Sequence, residues 1–240
     1  MWGRGIGGTR GRYLLGVLAA AVAAATVATA AARRQPGPPP PDWGPLAGLV
    51  VVVDAGHGGV DQGTSVAGVD EAGINLAIAK ATRTLLRRAG AAVVLTRENG
   101  DDLAPSSETL SRRKKIDLET RARQVNQLRP DVFVSIHVNY YPDSGPHGAQ
   151  AFYDQRNGFA GQRLATDMQA SLQAVLGSQR TVLPINNFLL GHVGVPGVLV
   201  EVGFLSNPSE RKKLQDAAYQ QKVAWAILLG VARYLAGAPH

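Results

Sequence analysis

The chain has no cysteine in 240 residues. That absence excludes disulfide scaffolds, cysteine zinc fingers, iron–sulfur clusters and thiol nucleophiles together. Any metal ion has to be held by histidine and carboxylate, and there are only five histidines. Aromatic residues are scarce, at 6%. The interleaved aromatic and basic side chains of a nucleic-acid groove are therefore missing. Charged residues make up 18% against 45% hydrophobic, a balance that excludes an intrinsically disordered chain. The length suits one full core, and no internal repeat is visible. The formal charge of +7 hints at an anionic partner. However, residues 1–42 hold five arginines and one aspartate, which is +4 of that total. No nucleic-acid partner is expected.

Arg4, Arg10 and Arg12 precede an uncharged apolar run from Tyr13 to Ala32, closed by Arg33 and Arg34. As a helix rising about 1.5 Å per residue, such a run spans about 30 Å, the thickness of a bilayer core. A basic segment ahead of an apolar stretch also describes a secretory signal, with Ala28-Thr29-Ala30 as a small-residue cleavage site. Residues 1–34 are thus expected to be a signal peptide or an N-terminal membrane anchor, and the rest of the chain to be exported. Residues 35–45 (QPGPPPPDWGP) read as a stiff proline-rich linker. A folded domain is expected over residues 46–240.

Within that domain short β-branched runs alternate with helical periodicity. Strands are expected at Leu49–Asp54, Ala91–Thr96, Asp131–Ile136, Ala149–Tyr153 and Gly197–Val202. Helices are expected at Ile74–Arg88, Leu118–Leu128, Gly161–Leu176 and Tyr219–Leu235. The polar segment Asp101–Lys115 reads as a surface loop carrying a solvated basic run, Ser111–Lys115. This alternation implies a single α/β domain with a central, mostly parallel sheet of about six strands and helices on both faces.

Ligands of open α/β sheets bind beyond the carboxyl ends of the strands. The first strand ends in Asp54-Ala55-Gly56-His57-Gly58-Gly59, the third in His137 and Asn139, the last near Glu201. Glu71 precedes the first helix. A hydrolytic zinc takes about three His and carboxylate ligands and leaves one position for water. A further carboxylate off the metal can carry protons. His57, Glu71 and His137 suit the first task and Glu201 the second. Each residue alone has a plainer reading. The glycine-rich loop resembles a phosphate cradle without the Lys-Ser/Thr of a P-loop. His137 could be a satisfied core histidine, and Glu71 a charge favouring a helix N-terminus. Glu201, inside GVLVEVGF, is costly to bury unless paired or functional.

The segments VVVDAGHGGVDQGT, EAGINLAIA, VVLTR, DVFVSIHVN and VPGVLVEVGFLSNPSE resemble, in order and spacing, the zinc-dependent N-acetylmuramoyl-L-alanine amidases of the type 3 class. The segments SRRKKIDLETR, HGAQAFY, LPINNFLLGHV and YQQKVAWAILLGVARYL are closer to its CwlD branch, which acts on spore cortex peptidoglycan. The resemblance implies one zinc ion on His57, Glu71 and His137, with Glu201 as the catalytic glutamate. It implies hydrolysis of the amide between the lactyl group of N-acetylmuramic acid and L-alanine, in cortex maturation leading to muramic lactam. It also implies peptidoglycan as partner, with a membrane or lipoprotein partner beside it. Asn139, Asn186 and Asn187 are the candidate substrate contacts. Ala72 and Gly73 stand where the family often has charge, and Gly73 weakens the expected helix start. The other readings kept are a non-catalytic peptidoglycan-binding protein on the same fold, or a different wall zinc hydrolase such as a carboxypeptidase or deacetylase.

Overall fold

The computed structural model describes residues 46–237. The expected signal or anchor (1–34) and linker (35–45) lie outside the described residues. Among the described residues no helix is long and apolar enough to cross a membrane.

The valine run forms strand β1 (Val50–Ala55). A two-residue hairpin, β2 (Ser65–Val66) and β3 (Val69–Asp70), leads directly into helix α1 (Glu71–Arg88). Strand β4 (Ala92–Leu95) and helix α2 (Leu110–Leu128) follow, then β5 (Val132–Asn139) and β6 (Gln150–Tyr153). Helix α3 (Gly158–Leu176), the short β7 (Leu183–Pro184) and the five-residue α4 (Phe188–His192) precede β8 (Gly197–Phe204). Helices α5 (Pro208–Leu214) and α6 (Ala217–Ala236) close the chain. Six strands form one sheet in the order β4-β1-β5-β8-β6-β7. β1, β4, β5 and β8 run parallel, and β6 is antiparallel to β8.

Two apolar clusters hold helices to the two faces. On one face Val51, Val53, Val134 and Val200 pack with Ile78 of α1, Met168 of α3 and Ile227 of α6. On the other, Val52, Phe133 and Leu199 pack with Val125 of α2 and Leu190 of α4. Alternate residues of one strand serve both layers, which is why the central strands read as unbroken apolar runs. The expected α/β domain with its mostly parallel six-stranded sheet is what forms.

The main departure from expectation is α2, which begins at Leu110 rather than Leu118. The basic run Ser111–Lys115 is therefore helical, not a loop. Its first turns carry almost no apolar residue, so periodicity is silent there. Side chains supply the order: Arg112 pairs with Glu108 at 2.9 Å, Arg113 with Asp102 at 2.7 Å and Lys114 with Asp61 at 2.9 Å.

Candidate metal centre and catalytic carboxylate

Parallel strands β1, β5 and β8 end at one edge of the sheet, and that edge gathers the chemistry. His137 and Glu201 are direct register partners across β5 and β8, so their side chains leave the same face side by side. Glu71 arrives from below as the first residue of α1. The hairpin fixes it there: Glu71 N donates to Thr64 O at 3.0 Å and Ala72 N to Gln62 O at 3.1 Å. Thr64 N in turn donates to Glu71 Oε2 at 3.1 Å. These bonds outweigh the weakening expected from Gly73, and the helix starts at Glu71.

Glu71 Oε1 lies 3.2 Å from His57 Nε2 and 3.0 Å from His137 Nδ1. It also accepts from Val138 N at 3.1 Å and Asn75 Nδ2 at 3.2 Å. The two imidazole rings meet edge to face, with centroids 4.9 Å apart. One ligand atom from each of His57, Glu71 and His137 lies within 4.8 Å of the others. Burial alone would push the His57 imidazolium down, but bonds and charge from Glu71 and Asp61 outweigh it and raise its pKa to about 9. Burial likewise opposes the charge on Glu71, yet the two histidines hold its carboxyl well below the usual carboxylate range.

Glycines make the close approach possible. A Cβ on Gly56 would overlap the His137 ring. A Cβ on Gly63, whose φ is +68°, would lie 2.6 Å from Glu71 Oε2 and 2.7 Å from His57 Cδ2. His57 itself has a φ of +62°, a left-handed conformation that is strained for a residue with a side chain. Its carbonyl accepts from Arg121 Nη2 at 2.6 Å, which holds that backbone in place.

Glu201 is built differently. Its Oε2 is buried and has no hydrogen-bond partner among the described residues. Burial pushes its pKa up to about 7, with His137 and His57 pulling down and Glu71 pushing up. An unpartnered buried carboxylate beside two imidazoles and a second carboxylate is an acceptor awaiting a donor. Two histidines, one carboxylate ligand and one spare carboxylate are the donor set of a hydrolytic metal site, so the residues present fit such an ion.

Around this centre lie residues that motif reading passed over. Asp61 Oδ2 is 3.1 Å from His57 Nδ1. Asn75 bonds both Glu71 and Gly56 O. Arg97 ties the carbonyls of Ala55, Gly56, Ala72 and Asn99 together. The i,i+4 spacings His57–Asp61 and Glu71–Asn75 are the signal that could have found two of them. Arg121 is fully buried between Asp54 at 2.9 Å and Asp117 at 2.9 Å. Asp54 also accepts from Thr96 and Ser135 hydroxyls, each at 2.6 Å.

The three asparagines are not members of the His57, Glu71 and His137 group. Asn139 ends β5, and its Oδ1 accepts from Tyr140 N at 2.8 Å. Asn186 accepts from Arg156 at 2.8 Å in a hollow shared with Asp154, Pro184 and Ile185. Asn187 caps α4, accepting from Leu190 N at 3.0 Å. His192 stacks on Phe188 with centroids 4.1 Å apart, and His147 bonds Gly145 O at 3.0 Å. His240 is outside the described residues.

The model of the N-acetylmuramoyl-L-alanine amidase family (Amidase_3) matches residues 51–233. The germination-specific N-acetylmuramoyl-L-alanine amidase of Bacillus subtilis is 37% identical over 194 residues, covering 79% of this chain and 81% of that protein. The amidase LytC of the same organism is 34% identical over 192 residues, which is 79% of this chain but 36% of that longer protein. Among solved structures, the CwlD amidase of Clostridioides difficile, in complex with the GerS lipoprotein, superposes with a TM-score of 0.76 at 36% identity. It covers 79% of this chain and 100% of that one. The chain belongs to the N-acetylmuramoyl-L-alanine amidase family.

Proposed function

We propose that the chain hydrolyses the lactyl–L-alanine amide of peptidoglycan at a zinc ion held by His57, Glu71 and His137, with Glu201 moving the protons. The observation that carries this reading is the buried, unpartnered Glu201 Oε2 beside the His57–Glu71–His137 group. Zinc bound there would supply an acidified water and polarise the scissile carbonyl. Glu71 and the imidazoles hold the ion's ligand atoms within reach of one another. Glu201, the buried and unpartnered carboxylate beside that group, would accept a proton from the attacking water. The same carboxyl then returns that proton to the leaving amine of L-alanine. No group among the described residues bonds Oε2, which leaves it free for both transfers. Asn139, at the rim of β5, is the best placed of the three asparagines to meet substrate, while Asn187 serves α4.

The product decides the bond. Full-length protein supplied with zinc and incubated with intact and cortex-type peptidoglycan should release whole stem peptides with a new L-alanine amine, read by mass spectrometry. Loss of a terminal D-alanine would point to a carboxypeptidase and loss of acetate to a deacetylase. Glycan strands bound without release of peptide would point to a binding protein. Cortex material is included because the germination-specific relative and the CwlD neighbour support a role in spore cortex maturation. We place the enzyme outside the cytoplasm, with residues 1–34 as a cleaved signal or an anchor. Amino-terminal sequencing of the mature protein distinguishes those two. The CwlD–GerS complex supports a lipoprotein partner for this chain as well.

A further inference from the structure

We infer that Asp61 positions His57 for the metal, and that Lys114 on α2 holds Asp61 in place. The inference rests on the reading of His57 as a ligand. The two nitrogens of His57 face different partners: Nε2 is 3.2 Å from Glu71 Oε1, and Nδ1 is 3.1 Å from Asp61 Oδ2. A carboxylate accepting from Nδ1–H fixes the tautomer, turns the ring, and leaves the Nε2 lone pair aimed at the group formed with Glu71 and His137. Asp61 is itself fixed. Its Oδ1 accepts from Lys114 Nζ at 2.9 Å and from Gly63 N at 3.2 Å. Its backbone is tied to Gly58 by N–H to carbonyl bonds of 2.8 and 3.0 Å, one in each direction.

The arrangement compensates for a local weakness. His57 stands on glycine-flanked backbone with a φ of +62°, a conformation the chain would leave if nothing restrained it. Arg121 holds the carbonyl and Asp61 holds the ring, and both restraints reach the loop through α2. His137 needs no such help, because a register-paired strand and the close approach of Gly56 fix its ring. The basic turn Ser111–Lys115 thereby gains a function at one position, Lys114. Arg113 beside it pairs with Asp102, which accepts from Val60 N in the same loop, while Arg112 and Lys115 pair with Glu108 and Glu119.

The test is zinc affinity of the full chain in chelator-buffered zinc, beside thermal melting of the same preparations without metal. Asp61→Ala should weaken zinc binding about 10–100-fold, with the metal-free melting temperature unchanged within a few degrees. Asp61→Asn keeps an oxygen that can accept from Nδ1–H, so it should recover part of the loss. Lys114→Met should weaken zinc at most about five-fold, the range of an exposed ion pair. In the Asp61→Ala background it should do nothing further. Asp61→Ala protein that melts like the wild type and binds zinc within two-fold of it overturns the inference, and leaves Glu201-dependent amide cleavage standing. An equal Lys114→Met effect with and without Asp61 overturns the part assigned to Lys114. A wild-type chain that binds no zinc overturns the reading of the site, and this inference with it.

Discussion

Two groups of buried charge lie at the same end of the sheet and are finished in opposite ways. Around Asp54, both carboxylate oxygens accept hydrogen bonds, from Thr96, Ser135 and Arg121. Arg121 spends both terminal nitrogens on Asp54, Asp117, Ala55 O and His57 O, and only its Nε is buried without a partner among the described residues of this network. Burial opposes the charge on Asp54, yet these partners hold its carboxyl below the usual range. Around Glu201 one oxygen is enclosed and without a partner among the described residues, and its pKa is raised to about 7. A carboxylate met on both oxygens makes scaffold, here the clamp that shapes the His57 loop. A group left open in the same surroundings is available for chemistry, and it costs stability to keep it so.

The contrast can be broken at either end. The largest effect is expected from His137→Ala, which should lower both amide cleavage and bound zinc to background while the metal-free chain melts near the wild-type temperature. Metal analysis and product assay on one preparation check this. Next is Arg121→Met, which leaves Asp54 and Asp117 buried without their cation. It should cost about 3–5 kcal/mol in denaturant unfolding, and a loss under 1 kcal/mol would show that the closed network is not scaffold.

Glu201→Gln should act in the other direction on stability. The folded pKa of Glu201 is raised from 4.5 to about 7, so between those values the folded chain keeps a proton that the unfolded chain has released. Wild-type stability therefore falls as pH rises through that window, and a glutamine is spared the fall. Zinc-free Glu201→Gln protein should be more stable than wild type by up to about 3 kcal/mol at pH 8. The gap should vanish below pH 4.5, the carboxyl's ordinary value. A pair of melting curves at the two pH values decides it. The smallest effect belongs to Lys115→Ala, whose exposed pair with Glu119 at 3.8 Å should be worth under about 0.5 kcal/mol.

Much of this was legible in the chain. β1, β5 and β8 are buried on both faces, so their apolar runs stood out, and their ends named His57, His137 and Glu201. The mostly parallel sheet followed from strands alternating with helices. What stayed hidden has physical reasons. The start of α2 is organised by Arg113 and Lys114 reaching Asp102 and Asp61, which are distant in sequence, and no periodicity records that. β7 and α4 are too short to show a period, and α4 depends on an Asn187 cap that reads in the sequence as a groove residue. Asp61 was passed over because an aspartate in a glycine-rich turn looks like turn chemistry. Its partner nitrogen becomes visible only when the loop is folded. The role of Arg97 lies in long-range bonds to backbone carbonyls, which sequence pattern does not encode.

The most direct test of the account is Glu201→Gln protein assayed for zinc content and for amide cleavage on the same preparation. Zinc should stay near one ion per chain while cleavage falls about 10²–10⁴-fold, the range of a lost general acid–base. Cleavage at the wild-type rate, with L-alanine amines still released, would contradict the role given to Glu201.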